Sequence, residues 1–455
     1  TQVIPHRWSV SFGGFEVDLV GDITERTEDL KRGALAILFV EFQGLGVKEI
    51  IGIGQLHQIR GQRGVYRATF KDIISAFQTR FDLSADTSKK RHQLFFDTEV
   101  STTADMLWSN HSYLQVTDGS QFTKSSNHYG LLYVIPGSGD PFYLGWDSYD
   151  ASTKRFSLTS NFGVHPTAGA SHVIANGNKV FNAARINGAP HEVFAQIITS
   201  TGTGTNGPND VLPLSYGSGF PLNYSFFDFD NSELTKSYIK PSNSTQYMID
   251  FSTIEPFSNG IRSFIDIFAN VGQWPVMRQN SFTWRGCFDP TGKLSDQPLT
   301  SAHIFDDDII QINDIDFFDS TLQTAFLQSR IVYNTSNTSY VKATTLVKSL
   351  PIEREISRDF GFYYDSSVDP LAMATADVAR METWDFNTWT RISLKVSLRF
   401  CTLCAGDKVR LTSKYIVDIY TAEGQTFVER PAMVLEISYN FRTRSCDIVL
   451  GFPTP

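Results

Sequence analysis

Residues 202–207 match the glycine pattern of a nucleotide-binding loop. The run Gly202-Thr203-Gly204-Thr205-Asn206-Gly207 fits the string GxGxxG. Such a loop works because a helix begins there and points its N-terminal amides at a pyrophosphate. Pro208 follows at once and Pro213 soon after. No strand–helix–strand pattern surrounds the run. We therefore predict a flexible contact loop and no nucleotide site.

The candidate metal ligands are Cys287, Cys401, Cys404 and Cys446. Cys401 and Cys404 form a CxxC pair, and Cys446 lies in a segment that could cross a hairpin from them. Four thiolates could hold a zinc ion or an iron–sulfur cluster. A second CxxC is missing, however, and Cys287 lies far upstream. We favour small buried side chains beside a turn, so that no cofactor is predicted; zinc or an iron–sulfur cluster is the alternative.

The stretch 305–319 is the most acidic part of the chain, with six aspartates in FDDDIIQINDIDFFD. Calcium loops alternate carboxylates around a glycine and end in a glutamate. This stretch has neither residue in the required place. A solvated acidic loop, or a surface that faces DNA, is the preferred interpretation.

Catalytic patterns are absent from the sequence. The nine histidines are scattered, with no HExxH, and the GxSxG nucleophile elbow is missing. No carboxylate pair for glycan hydrolysis can be singled out. Six tryptophans could line a sugar cleft, but aromatic residues also fill ordinary sheet cores: Trp108, Trp146, Trp274, Trp284, Trp384 and Trp389. We predict that the protein is not an enzyme and has no catalytic residue.

Composition indicates a mainly β fold with minor α content. Charged residues are 19% and aromatic residues 13% of the chain, a balance that suits pleated surfaces. A chain of 455 residues is long enough for several domains. The net charge of −9 disfavours tight binding to DNA phosphates. Neither an 18-residue apolar run nor a signal peptide is visible, so no membrane span is expected.

Alternating apolar residues and turn signals locate the predicted strands. They lie within residues 7–20, 30–42, 49–61 and 64–72, followed by a short helix at 73–81. A hairpin is predicted at 130–150, across Pro136 and Gly137. Near the C-terminus, strands at 391–400 and 408–413 and a closing hairpin at 431–452 indicate a small β barrel or sandwich.

Three parts of the chain resemble hub proteins from the tail tips, or baseplates, of long-tailed bacteriophages and related particles. The first comprises RWSVSFGGFEVDLVGD, RGALAILFVEF and IGIGQLHQIRGQRGVYRATFKD, within residues 7–72. The second is HEVFAQIITSTGTGTNGPNDVLPLSYGSGFP (191–221). The third runs from LRFCTLCAGDKVRLTS (398–413) through RPAMVLEISYNFRTRSCDIVLGF (430–452). The CTLC departs from that family's pattern, which leaves a metal or redox role open.

The resemblance implies two tube-like β modules with mixed domains inserted between them. We expect an N-terminal tube-like β module at 1–85, an inserted β domain at 86–180, a middle mixed α/β domain at 181–380 and a C-terminal β-barrel-like module at 381–455. Three copies would form a homotrimeric, pseudo-sixfold ring. The interface candidates are the loop glycines Gly202, Gly204, Gly207, Gly217 and Gly219.

The same resemblance implies a structural virion protein, assembled in the host cytoplasm and placed at the tail tip. Its expected partners are the distal tail protein ring, the tip or fibre proteins and the tape measure protein. DNA would pass through its lumen during ejection without specific binding. Two other functions remain open: a tail-associated protein that binds or hydrolyses glycans, and a bacterial β-rich surface protein.

Overall fold

The structure is a computed structural model. It describes residues 2–4, 9–11, 13–20, 34–42, 47–62, 64–72, 99–107, 112–122, 124, 129–137, 142–159, 173–201, 203–212, 223–228, 249–253, 265–266, 268–269, 273–278, 281–286, 302–318, 324–334, 337–345, 355–364, 389–417 and 426–453.

Strands make up most of the described residues, which confirms the mainly β fold class. They are β1 (Gln2–Ile4), β2 (Ser9–Ser11), β3 (Gly14–Val20), β4 (Leu35–Phe42), β5 (Val47–Gln62), β6 (Val65–Asp72), β7 (Glu99–Ser101), β8 (Met106–Leu107), β9 (Tyr113–Gln115), β10 (Gly130–Ile135), β11 (Phe142–Asp150), β12 (Arg155–Leu158), β13 (Val173–Ile174), β14 (Lys179–Gly188), β15 (Ile249–Thr253), β16 (Gln273–Arg278), β17 (Ser281–Gly286), β18 (His303–Ile304), β19 (Ile309–Phe318), β20 (Thr324–Asn334), β21 (Asn337–Thr345), β22 (Glu355–Tyr364), β23 (Trp389–Ser397), β24 (Lys408–Val417), β25 (Thr426–Asn440) and β26 (Ser445–Pro453). The α-helix α1 spans Pro190–Thr199, and short 3-10 helices span Tyr224–Phe226, Asp306–Asp308 and Leu398–Phe400.

Four strands near the N-terminus form an antiparallel sheet in the order β3-β6-β5-β4. Because side chains alternate between the faces of a strand, one face collects the apolar residues. There the rings of Phe15 and Phe70 stack with centroids 4.7 Å apart, beside Leu56 and Ala68. The strands predicted within residues 7–72 are confirmed. The helix predicted at 73–81 lies outside the described residues.

A ten-stranded sheet follows in the order β21-β20-β22-β15-β14-β10-β11-β12-β9, with β7 paired to β14. The predicted hairpin at 130–150 is confirmed, since β10 and β11 pair from Gly130 opposite Trp146 to Val134 opposite Phe142. Gly130 is required there: a Cβ on it would lie 2.2 Å from the Trp146 ring.

The C-terminal sheet has the strand order β18-β24-β25-β26-β23-β19, with β1 and β2 added beside β25. Its two outer strands, β18 and β19, follow each other in the chain and are joined by the 3-10 helix Asp306–Asp308. The sheet therefore curls around an apolar interior that includes Ile392, Leu394, Val434 and Ile448. The closing hairpin predicted at 431–452 is confirmed as β25 and β26.

The acidic stretch was predicted as a solvated acidic loop or a surface that faces DNA. The loop is wrong for residues 306–318, and the surface that faces DNA stays a prediction. Residues 306–318 form the 3-10 helix and strand β19, which pairs with β23. Register shifts after Ile309 and after Ile312 let residues at a spacing of three share one face. Ile309, Ile312 and Ile315 consequently all pack on the interior of the C-terminal sheet.

Pairing also joins parts of the chain that are far apart in sequence. Strand β1 pairs with β25 through Gln2 and Glu436, and β18 pairs in parallel with β24. The C-terminal sheet thus takes strands from both ends of the chain and from residues 303–318. The domain limits set from the sequence stay a prediction.

The hairpin of β16 and β17 is a central packing element. Strand β16 contacts β5 of the N-terminal sheet, and β17 contacts α1. Trp274 and Val276 of β16 also pack against Met433 and Leu435 of the C-terminal sheet. Among the described residues, no helix has the length and apolarity that a membrane crossing requires.

Candidate assembly surfaces

Helix α1 positions the Thr/Gly loop, which is residues 201–212. Pro190 occupies the first turn, where a missing N–H costs no hydrogen bond. The Glu192 carboxylate accepts the Ala189 N–H at 2.6 Å and closes the N-terminus. Every residue of α1 except Glu192 is buried, so the helix fixes the point at which the loop leaves the core.

The Thr/Gly loop is built around the carboxylate of Asp210, which is fully buried. It accepts the Thr201 N–H at 2.7 Å and the Asn206 N–H at 3.1 Å. The Thr201 hydroxyl bonds to its second oxygen. Hydroxyl contacts then run outward from Thr201 to Thr203 at 2.6 Å and from Thr203 to Thr205 at 2.8 Å. The loop thus presents exposed threonines on an internally bonded frame.

The structure describes two of the five predicted interface glycines. Gly204 and Gly207 have positive φ values of 71° and 91°, which favour glycine. A Cβ on Gly207 would also lie 2.6 Å from the Tyr224 ring, so Gly207 serves the packing of the loop. Gly202, Gly217 and Gly219 lie outside the described residues. A contact role for the loop stays a prediction.

The cysteines of the CxxC pair lie in different clusters. Cys401 belongs to the interior of the C-terminal sheet together with Cys446. Cys404 packs instead with Trp274 and Met433, beside the central hairpin. Cys287 lies outside the described residues. In the part of the chain that the structure describes, no three His, Cys, Asp or Glu side chains come together as a metal site.

A buried ion pair ties the central hairpin to the turn that follows Cys404. Arg285 Nε donates to Asp407 Oδ1 at 3.3 Å, and both side chains are almost fully buried. The second oxygen of Asp407 accepts the Cys404 N–H at 2.9 Å. Gly406, with a φ of 96°, leaves room for Trp274 and the Arg285 stem, because a Cβ would lie 3.1 and 3.0 Å from them. Sequence inspection missed this pair, whose members are 122 residues apart.

Burial of Cys446 predicts a loss of stability in alkali. Desolvation, followed by the nearby Cys401, raises the pKa of the Cys446 thiol from 9.0 to about 12. A thiol whose pKa is raised on folding ionises first in the unfolded chain. The free energy of unfolding should therefore fall as the pH rises from about 9 toward about 12. Urea unfolding at several pH values measures this, and Cys446→Ala should flatten that slope. An unchanged slope in the variant would contradict this assignment.

The described tryptophans do not form a sugar cleft. Trp146, Trp274, Trp284 and Trp389 are all buried, and Trp284 donates its indole N–H to Gln273 at 3.0 Å. They therefore fill cores, as aromatic residues commonly do in sheets. Trp108 and Trp384 lie outside the described residues.

Large apolar side chains are exposed on two sheets. On the N-terminal sheet, Leu35 and Val65 are 51% and 53% exposed. On the C-terminal sheet, Tyr415 and Val428 are 68% and 72% exposed. Exposed apolar residues that cluster on a surface commonly mark sites of protein association. These exposed side chains are candidate contact sites.

No protein-family model matches the chain, and no curated protein sequence matches it. Among solved structures, the tail protein from Neisseria meningitidis MC58 is 9% identical, with 78% of this chain and 96% of that protein covered and a TM-score of 0.27. The 43 kDa tail protein of prophage MuSo2 from Shewanella oneidensis is 8% identical, with coverages of 78% and 93% and a TM-score of 0.26. A chain of the virion of a native gene transfer agent particle is 14% identical, with coverages of 38% and 64% and a TM-score of 0.15.

Proposed function

We propose that this chain is a structural protein of the tail tip of a long-tailed phage or related particle, where it forms the hub. The observation that carries the proposal is the exposure of large apolar side chains on two sheets, as at Leu35 and Tyr415. Such side chains are stabilised when another subunit covers them. This surface supports a role in assembly.

The assignment to the tail tip is supported by the resemblance of three sequence runs to hub proteins. The first run coincides with strands β3 to β6, and the last coincides with β24 to β26. The resemblance therefore falls on paired strands that define two sheets. In the proposed particle, three copies form a ring that joins the distal tail ring to the tip or fibre proteins. Its lumen passes the tape measure protein and then DNA.

Deletion of the gene from the producing genome tests the proposal. Electron microscopy should show tails that lack a distal tip, or heads without tails, and the wild-type gene supplied in trans should restore the tip. An antibody against the chain should label the distal end of intact tails. Normal tips without the gene would contradict the proposal. Release of sugars from host cell walls by the purified chain would favour the glycan-hydrolysing alternative.

The same complementation assay tests the Thr/Gly loop. Thr205 is exposed at the outer end of the hydroxyl series, so Thr205→Trp should leave the fold intact while it obstructs a neighbouring subunit. We expect few complete tips with this variant. Thr103→Trp, at another exposed threonine, is the matched control and should complement fully. Equal complementation by both variants would show that the loop makes no subunit contact.

A further inference from the structure

One end of the C-terminal sheet exposes apolar side chains beside carboxylates. We call this the hairpin end, defined by Phe305, Asp306, Asp307, Tyr415, Val417 and Val428. Its four apolar residues are all well exposed. Register shifts interrupt the pairing of β24 with β25 between Leu411 and Val417. Irregular strand pairing of this kind re-aims side chains and is common next to functional sites.

Hydrogen bonds hold the parts of the hairpin end together. Asp306 Oδ2 accepts the Lys414 N–H at 3.1 Å, which brings the acidic 3-10 helix against the residue before Tyr415. The rings of His303 and Phe305 stack at 3.9 Å. On the β25 side, Glu429 next to Val428 donates its N–H to Thr412 Oγ1 at 2.9 Å.

Two carboxylates of the hairpin end lie near the ammonium group of Lys414. Asp306 and Asp307 both lie close enough to Lys414 to help raise the pKa of its ammonium group, after the larger effect of Tyr415. Asp306 is bonded to the backbone of β24, whereas Asp307 is exposed. The hairpin end therefore combines an exposed apolar surface with the exposed carboxylate of Asp307.

The other end of β25 has the opposite charge. We call residues 441–444 the basic turn, because it contains Phe441, Arg442 and Arg444, all exposed. It is internally held, since Asn440 Oδ1 accepts the Thr443 N–H at 3.2 Å and the Arg444 carbonyl accepts the Leu398 N–H at 3.2 Å. Arg442 also lies near Asp18 of β3, whose pKa is lowered first by Arg67 and in small part by Arg442.

The hairpin end and the basic turn cannot meet within one chain. Val428 and Phe441 lie near opposite ends of β25, and thirteen residues of strand (441 − 428) span about 40 Å. The hairpin end exposes several apolar side chains beside the carboxylate of Asp307, and the basic turn exposes Phe441 beside two arginines. A second copy of this chain is therefore the partner that fits both surfaces.

We propose that copies of this chain associate head to tail, with the hairpin end of one copy bound to the basic turn of the next. The inference rests on the proposed function in that it names the surfaces through which hub subunits contact one another. A contact between two different surfaces repeats from copy to copy and closes a ring when the rotation between copies permits. Apolar burial at Tyr415 and Val428 supplies attraction, and the charges set which ends meet.

Charge reversal in the full-length chain tests the pairing, with sedimentation velocity at low salt as the measurement. The wild type should self-associate. Asp307→Arg and Arg444→Glu should each weaken association about tenfold or more, since either places like charges together. The double variant Asp307→Arg/Arg444→Glu should restore association, because opposite charges then face each other again. Asp147→Arg, at an exposed aspartate of β11, should associate as the wild type does.

Each other outcome would overturn the head-to-tail contact. A wild-type chain that stays monomeric at its highest soluble concentration would do so, as would single variants that associate normally or a double variant that stays dissociated. Circular dichroism shows that the variants are folded. The tail-tip proposal is tested separately, because normal tips after deletion of the gene would contradict it. If the double variant associates but normal tips form without the gene, the protein self-associates at a location other than the tail tip.

Discussion

Asp407→Asn is expected to lower the free energy of unfolding by about 3–5 kcal/mol, the range for breaking a buried ion pair from one side. The change leaves the guanidinium of Arg285 charged and buried without its counter-ion. It also weakens the acceptor for the Cys404 N–H. Urea unfolding followed by tryptophan fluorescence measures the loss, because Trp274 packs beside this turn.

Two companion variants separate the ion pair from a general effect of the mutation. Asp316→Asn breaks the partly exposed pair with Arg391, at 3.0 Å, and should cost at most about 1 kcal/mol. Arg285→Met/Asp407→Leu removes both charges and should recover part of the loss, because no uncompensated charge stays buried. If Asp407→Asn were no worse than Asp316→Asn, the buried pair would not stabilise the junction.

Asp210→Ala is expected to cost about 2–4 kcal/mol, since it leaves the N–H groups of Thr201 and Asn206 without their acceptor in a buried setting. The Thr/Gly loop should lose its fixed shape, and the end of α1 should fray. Hydrogen exchange measures this directly. The protection of amides in residues 199–210 should fall while that of β25 stays unchanged.

Asn223→Ala is the matched control for the loop. Asn223 is exposed and accepts a single N–H, from Ser225 at 2.9 Å, so its removal should have a much smaller effect. Comparable losses in the two variants would mean that burial of the Asp210 carboxylate is unimportant. In the complementation assay, Asp210→Ala should also reduce the number of complete tail tips.

The hairpin of β10 and β11 and the hairpin of β25 and β26 could be predicted from their apolar runs, although β25 carries a register shift. Strand β19 could not be predicted. In β19 the isoleucines at 309, 312 and 315 have a spacing of three, which resembles a helix more than a strand. Two register shifts place these isoleucines on one face of the strand. The aspartates between them made the segment resemble a loop in the sequence.

Helix α1 illustrates a different limit. Its sequence PHEVFAQIIT contains the proline and glutamate of a helix start, yet no helix is predicted at these residues. Because nearly all of its faces are buried, it lacks the polar stripe that gives a surface helix its 3.6-residue period.

The polar residues that organise the candidate surfaces were beyond prediction for one physical reason. Asp210 and Asp407 look like any surface aspartate in the sequence, and their burial depends on partners brought close by folding. Arg285 and Asp407 come into contact only when β17 packs on the C-terminal sheet. The exposed Tyr415 and Val428 lie where register shifts interrupt the pairing of β24 with β25, and such shifts cannot be predicted from the alternation of apolar residues.

The pairing of Gln2 with Glu436 has a consequence for the time course of synthesis. The two residues are 434 positions apart (436 − 2), so β1 leaves the ribosome long before its partner exists. At roughly 5–20 residues per second, β1 and β2 wait about 20–90 s for β25. During that interval their backbone groups are open to other strands. A chaperone, or a neighbouring nascent chain on the same messenger RNA, would meet them first.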